Sequence, residues 1–254
     1  MTNKKAQITI FIIIAILIVV AVVLIFVLYN RTIPKPGPSA SENPEKNIEQ
    51  CINGYVEEAV DKIIANGGYV DEPVLSKNFK GNNITYLCFI GINYARCLVI
   101  EPVFIEHLEE EIHDYIEPEV EECFEKLEEE LEKEKLDADI EENTEIKIEL
   151  MPGTVETTIQ KKVTIQGKDK SEDFEKVRAR YSTSLYDMAI IIQEIVRQES
   201  IYCNSEYEEI MRANTWVEIE KFQQYDDTVY TVRDTRIDKE ISFALRNCVL
   251  TVPS

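Results

Sequence analysis

The sequence lacks the short motifs that mark common active sites. Among its 254 residues there is no Gly-x-Ser-x-Gly, no Cys-x-x-Cys, no His-Glu-x-x-His and no phosphate-binding glycine loop. Only two histidines are present, so a catalytic triad has few candidate bases. We expect no catalytic residues, although paired carboxylates stay open because spacing in sequence does not set a distance in space.

Both histidines, His107 and His113, lie among glutamates in a stretch expected to be helical. Glu110 and His113 have the spacing that places two ligands on one helical face, as in carboxylate-bridged metal bundles. Such bundles need a second copy of the motif, which is missing, and no Asp-x-Asp-x-Asp-Gly calcium loop occurs. We interpret this stretch as a solvated acidic face and expect neither a metal site nor a cofactor.

Basic residues are also scarce. There are 27 Lys and Arg against 48 Asp and Glu, and the formal net charge is −21. Residues 1–41 contain four basic residues and no acidic one, so the rest of the chain is more acidic still. A surface of this charge repels phosphate backbones, which excludes nucleic acid as a partner, and it attracts cations or basic partners.

One long apolar run dominates the N-terminal part of the chain. Residues 8–28 carry no charge and a single polar side chain, Thr9. As a helix this run reaches about 30 Å, the thickness of the hydrocarbon core of a bilayer. It is too long for the apolar region of a cleaved signal peptide, and Pro38-Ser39-Ala40 is a poor cleavage site, so we predict a retained transmembrane helix over residues 8–29.

Three weak features favour an extracellular C-terminal body. Lys4 and Lys5 precede the predicted span, and Arg31 and Lys35 follow it, a balance that favours a cytoplasmic N-terminus slightly. Six cysteines suit three disulfides, although all could be buried thiols. Asn-x-Thr sequons at Asn30 and Asn83 are candidate glycosylation sites. We expect a single-pass protein of the plasma membrane.

The segment Lys4-Lys5-Ala6-Gln7-Ile8-Thr9 resembles the class III signal of archaeal type IV pilins. The resemblance implies cleavage between Ala6 and Gln7. Phe11 replaces the glutamate that helps pilin subunits to assemble, and pilins continue their first helix into the head, whereas prolines follow the span here. The same start, followed by Cys51-Ile52 through Gly67-Gly68-Tyr69, also resembles a group of uncharacterised single-span surface proteins of small-genome archaea. The likeness covers the first seventy or so residues and, more loosely, Phe243-Ala244-Leu245-Arg246, and it implies no known activity.

After the anchor and the linker we predict an α+β body of amphipathic helices and antiparallel sheet. The chain divides into five predicted segments. They are a cytoplasmic tail (1–7), the transmembrane helix (8–29), a Pro-rich linker (30–43), an acidic helical subdomain with a hairpin (44–142) and an α+β subdomain (143–254).

Helical spacing predicts a helix from Asn43-Pro44 to Gly67-Gly68, with Cys51 on its apolar stripe. A second, acidic helix is predicted over residues 102–136 with an interruption at Glu117-Pro118, and its apolar stripe contains Cys123. Packing of the two stripes predicts a disulfide between Cys51 and Cys123.

Two strands, residues 84–90 and 94–100, are predicted around a two-residue loop, Ile92-Asn93. In that register Cys88 faces Cys97 within disulfide range, although two buried thiols are the alternative.

Beyond Asn143 a period of two predicts a hairpin around Pro152-Gly153 and a third strand at 177–181. A capping box at Ser184 opens a covering helix. A helix over 206–213 and strands at 215–222, 228–233 and 240–249 complete the unit. Because the other four cysteines are already paired, we predict a disulfide between Cys203 and Cys248 by elimination.

These features favour a non-enzymatic, membrane-anchored surface protein that contacts a protein or another envelope component. The alternatives are a pilin-like filament subunit or assembly component, and an intracellular acidic scaffold of opposite topology. The oligomeric state is not readable from the sequence.

Overall fold

The protein is described by a computed structural model, which covers residues 43–92, 95–167 and 171–246. The helices are α1 (Pro44–Asn66), α2 (Phe104–Lys133), α3 (Leu185–Tyr202) and α4 (Tyr207–Ala213). The strands are β1 (Ser76–Phe79), β2 (Asn82–Phe89), β3 (Leu98–Val99), β4 (Asp137–Ile140), β5 (Glu145–Met151), β6 (Thr154–Gln166), β7 (Ser171–Ser182), β8 (Val217–Gln224), β9 (Asp227–Asp234) and β10 (Lys239–Arg246).

The predicted span, the linker, the processing site at Ala6 and Gln7, and the sequon at Asn30 lie outside the described residues. Within the described part of the chain, no helix combines the length and apolar character needed to cross a bilayer.

The strands form two sheets. One has the order β1-β2-β10-β9-β8, with β3 also paired to β2, and in the other β6 pairs with β4, β5 and β7. All pairs are antiparallel except β2 with β10, which is parallel, so the expectation of antiparallel sheet holds for one sheet and needs this correction in the other. The α+β class is confirmed.

The helix α1 follows its prediction closely. The Asn43 side chain accepts a hydrogen bond from the Lys46 amide, with Pro44 at the first turn. At the other end Gly67 adopts φ 76°, a left-handed conformation that ends the helix. A Cβ at Gly67 would collide with the backbone carbonyl of Ser242 in β10, so glycine also lets the helix end approach the sheet.

The acidic helix differs from its prediction at Pro118, where α2 continues without a break. Pro118 and Asp114, whose carbonyl loses its hydrogen-bond donor, both face solvent, so water can satisfy that carbonyl. The predicted apolar stripe is fully buried on both sides of the proline. Packing of this stripe keeps the chain helical where propensity alone predicts an interruption.

Two disulfides join the cysteines in the predicted pairs. Cys51 on α1 is bonded to Cys123 on α2, and Cys88 is bonded to Cys97. The register predicted around the second bond is wrong: Cys88 pairs with Val99, two positions along, and β3 is two residues long. The longer loop still leaves the Cys88 and Cys97 Cα atoms 5.4 Å apart. Cys203 is disulfide-bonded as well, while Cys248 lies outside the described residues.

One hydrophobic core extends across residue 143, where two subdomains were expected to meet. The parallel pair of β2 and β10 unites strands from both sides, and α2 packs on β5. The main cluster of buried apolar side chains contains residues from both sides of residue 143, and the division into subdomains stays a prediction.

The longer disulfide should stabilise the fold more than the shorter one. Cys51 and Cys123 are 72 residues apart, and Cys88 and Cys97 are nine apart. Replacing the first pair with serine should lower the unfolding free energy by about 4 kcal/mol, and replacing the second pair by about 2.5 kcal/mol, because the longer loop loses more entropy on closure. Denaturant unfolding followed by circular dichroism measures both, and equal losses would contradict the loop-closure account.

Candidate functional site

An apolar groove lies between three helices and the end of a sheet. Its floor and walls come from Leu87 and Val99 in β2 and β3, Pro102 and Phe104 at the start of α2, residues 190–197 of α3, and Ile210 with Ala213 in α4. The cavity volume is about 790 Å³. That size falls in the range of small-molecule and peptide sites.

Large apolar side chains remain exposed around this groove. Ile190 lines it and is 42% exposed. Leu98, Ile100 and Val103 flank its lining residues in the chain and are between 39% and 70% exposed. Scattered exposed apolar residues are ordinary, but a set grouped beside a concave apolar cavity is typical of an interaction site.

Charged groups occur at the edge of the groove. Arg197 donates two hydrogen bonds to Glu194, at 2.8 and 2.7 Å, and this guanidinium lowers the pKa of the Glu194 carboxyl. The negative charge of Glu194 is therefore balanced by Arg197 within α3. Glu101 and Glu209 contribute carboxylates at other points of the lining, and Glu209 is exposed. The carboxylates of Glu101 and Glu209 therefore give the edge of the groove a negative charge that Arg197 of α3 does not balance.

Glu101 is held in place from inside the fold. The Tyr69 hydroxyl donates to Glu101 Oε1 at 2.5 Å, and His107 Nδ1 lies 3.7 Å from Glu101 Oε2. His107 Nε2 lies 2.9 Å from the carbonyl oxygen of Gly68. A carbonyl only accepts, so Nε2 carries a proton. This network fastens the end of α1 to the start of α2, beside the groove.

The two histidines contact different neighbours. His113 Nδ1 contacts the neighbouring Asp114 at 3.2 Å, while His107 points to Gly68 and Glu101. In the described ranges no three side chains of the kinds that bind metals are grouped to do so.

The second sequon falls in a paired strand. Asn83 lies half-buried in β2, opposite Asn78 in β1. Its amide donates to Glu72 Oε1 at 2.6 Å, so a glycan at Asn83 would require that hydrogen bond to break. Glycosylation at this position stays a prediction.

Sequence reasoning missed the groove and the strand β1. The β1–β2 hairpin turns through Lys80 and Gly81, both with positive φ, and the single glycine was the available signal. At Ser184 the expected capping box is absent, because α3 has no side-chain cap from Ser184 and the Leu185 amide donates to Thr183 instead. The groove had no local signal, since its lining comes from four separate stretches of the sequence.

Comparisons with protein-family models, with curated proteins and with solved structures found no significant match.

The pH dependence of stability should report the Tyr69–Glu101 contact. Burial first, and then the Glu101 carboxylate, raise the pKa of the Tyr69 hydroxyl above its usual value near 10. A raised folded-state pKa contributes stability below about pH 10 that is lost as the pH rises further. Tyr69→Phe should therefore make the loss of unfolding free energy between about pH 10 and pH 11 shallower.

The control for this measurement is Tyr225→Phe, because Tyr225 is 94% exposed. This variant should keep the wild-type slope. Denaturant unfolding at a series of pH values measures all three proteins, and equal slopes for wild type and Tyr69→Phe would refute the assignment.

Proposed function

We propose that this protein is a membrane-anchored cell-surface protein whose disulfide-linked α+β domain lies outside the cell and has a binding role without catalysis. The apolar run at residues 8–28 supports the anchor, and two disulfides within one domain are consistent with an oxidising, extracellular location. The observation that carries the binding role is the apolar groove with Ile190 exposed at its edge.

The chemistry of the groove points to one kind of partner. Its walls favour aliphatic or aromatic side chains, and the carboxylates of Glu101 and Glu209 favour a cation at the rim. The net charge of −21 acts in the same direction over longer distances. The proposed ligand is an apolar segment of another envelope protein, flanked by lysine or arginine.

A pilin-like filament subunit is the second candidate, on the basis of Lys5-Ala6-Gln7. The conformation of Asn43, with φ −158° and ψ 80°, lies outside the helical region, so α1 begins at Pro44. That start argues against one helix running from the anchor into the body, the arrangement that the pilin resemblance implies. Peptide mapping of the N-terminus tests processing before Gln7, and polymers in purified surface material would favour the filament.

Topology can be measured on intact cells. External protease should degrade the domain without prior lysis, and an alkylating reagent should label its cysteines only after reduction. A cytoplasmic protein exposed only by lysis serves as the control. A domain that stays protected, with thiols that react without reduction, would exclude the extracellular assignment and favour the intracellular scaffold.

The groove can be tested with two matched substitutions. Ile190→Asp places a charge at the edge of the groove, whereas Ile237→Asp places one at an exposed isoleucine in the β9–β10 turn. The probe is a short leucine-rich peptide flanked by lysines, compared with the same peptide flanked by glutamates. Ile190→Asp should weaken binding of the lysine-flanked peptide by about tenfold or more, and Ile237→Asp should leave it unchanged.

Fluorescence anisotropy measures these affinities. Equal binding to the two variants, or tighter binding of the glutamate-flanked peptide, would contradict the proposed ligand chemistry.

A further inference from the structure

A second cluster of reactive groups lies at the C-terminal end of α3, where the helix meets the sheet. The amino group of Lys221 in β8 lies 2.9 Å from Glu199 Oε1 and 3.1 Å from Asn204 Oδ1. The Tyr230 hydroxyl in β9 donates to the same Glu199 oxygen at 2.5 Å. We name Glu199, Asn204, Lys221 and Tyr230 the Lys221 cluster.

The sheet and the helix hold the inner part of this cluster. Lys221 and Tyr230 are direct cross-strand partners, and the Lys221 amino group lies 5.2 Å from the centre of the Tyr230 ring. Glu199 is only 3% exposed although it is charged. Burial, and then the Glu199 carboxylate, raise the pKa of Tyr230, so its hydroxyl stays a hydrogen-bond donor. The Glu199 carboxylate is therefore buried, whereas the Lys221 side chain is 22% exposed.

Asn204 is held by the residues on either side of it. Cys203 ends α3 with φ 57° and is disulfide-bonded. Ser205 is buried, and its hydroxyl donates to Gln198 Oε1 at 3.1 Å. The Glu206 amide donates to the same oxygen at 2.8 Å. The loop thus presents the Asn204 carboxamide to Lys221 in a fixed position.

We propose that Lys221 and Asn204 join through an intramolecular isopeptide bond, with Glu199 as the proton carrier. The Lys221 ammonium first transfers a proton to the Glu199 carboxylate, which removes the charge of a buried carboxylate. The Lys221 nitrogen then attacks the Asn204 Cγ, Glu199 passes its proton to Nδ2, and the C–N bond to Nδ2 breaks, so that Nδ2 leaves as ammonia. The attacking nitrogen gives its surplus proton to the Glu199 carboxylate as the amide forms.

The reaction balances without an oxidant or a cofactor. One amine and one carboxamide give a secondary amide and one ammonia, which takes up the remaining proton from Glu199. Contact between a nucleophile and a carbonyl in a fixed geometry replaces a slow bimolecular step with an intramolecular one. Asn204 is exposed to solvent on its outer side, which lets ammonia leave.

Other lysines in the described ranges lack one of the required groups. Lys161 is more deeply buried than Lys221 and contacts Glu121 and Thr144, but no carboxamide lies against its amino group. Lys161 therefore supplies a matched control, because it has a carboxylate partner of its own, Glu121, but no acceptor carbon.

The bond would tie the end of α3 to β8, the strand at the edge of its sheet. Cys203, next to Asn204 in the chain, is disulfide-bonded, so the loop after α3 would carry two neighbouring covalent links. Such a link resists proteolysis and survives reducing conditions, which a disulfide does not.

Mass spectrometry of the full-length protein after reduction and trypsin digestion tests the proposal. Cleavage after Arg197, Arg212 and Arg233 should give peptides 198–212 and 213–233 joined as one branched species, lighter than their sum by one ammonia, about 17 Da. Lys221 should resist trypsin within it. Two separate peptides, with cleavage after Lys221, would overturn the proposal.

Three variants separate this bond from other losses of ammonia. Cyclisation of Asn204 onto its own backbone, or of a new N-terminal Gln7, gives the same mass change without a branch. Lys221→Arg and Glu199→Gln should abolish the branched peptide, and Lys161→Arg should retain it. A persistent ammonia loss at Asn204 in Lys221→Arg would assign the change to backbone cyclisation and refute the isopeptide bond.

Discussion

The pairing of α1 with α2 is the contact on which the rest of the described fold depends. Their apolar stripes face each other along most of their length, and the Cys51–Cys123 bond fixes the two helices in one register. α1 packs on β7 and β10, which belong to different sheets, and α2 packs on β4, β5 and α3. The helix pair is therefore the layer that brings the two sheets into one core.

In a strongly acidic chain, the positions of the few positively charged side chains matter. Lys161 reaches Glu121 from a buried position. Arg236 Nε donates to Oδ1 and Arg236 Nη2 donates to Oδ2 of the fully buried Asp234. The Arg236 guanidinium lowers the pKa of the Asp234 carboxyl. Buried charges are tolerated here because each has a partner, whereas the unpaired acidic side chains of α2 face solvent.

The groove and the Lys221 cluster both include residues of α3, and both form where separate segments of the chain end together. The groove needs the ends of β2 and β3, the start of α2, and α4 beside α3. The Lys221 cluster needs the turn after α3 to lie over β8 and β9. One helix thus positions a candidate binding surface and a candidate covalent link. Arg197 belongs to the groove and Glu199 to the Lys221 cluster, although the two residues are only two apart in sequence.

Sequence alone determined the features that depend on local periodicity and on chemistry near in the chain. These include the caps of α1, the hairpin at Pro152-Gly153, the buried stripe of α2 and the pairing of Cys51 with Cys123. Only the tertiary structure decided that α2 continues through Pro118, that Cys88 stands opposite Val99, and that β10 lies parallel to β2. The physical reason is that packing free energy summed over many distant contacts outweighs the local preference of one proline or one turn. The groove and the Lys221 cluster belong to the same class, because side chains far apart in sequence create them.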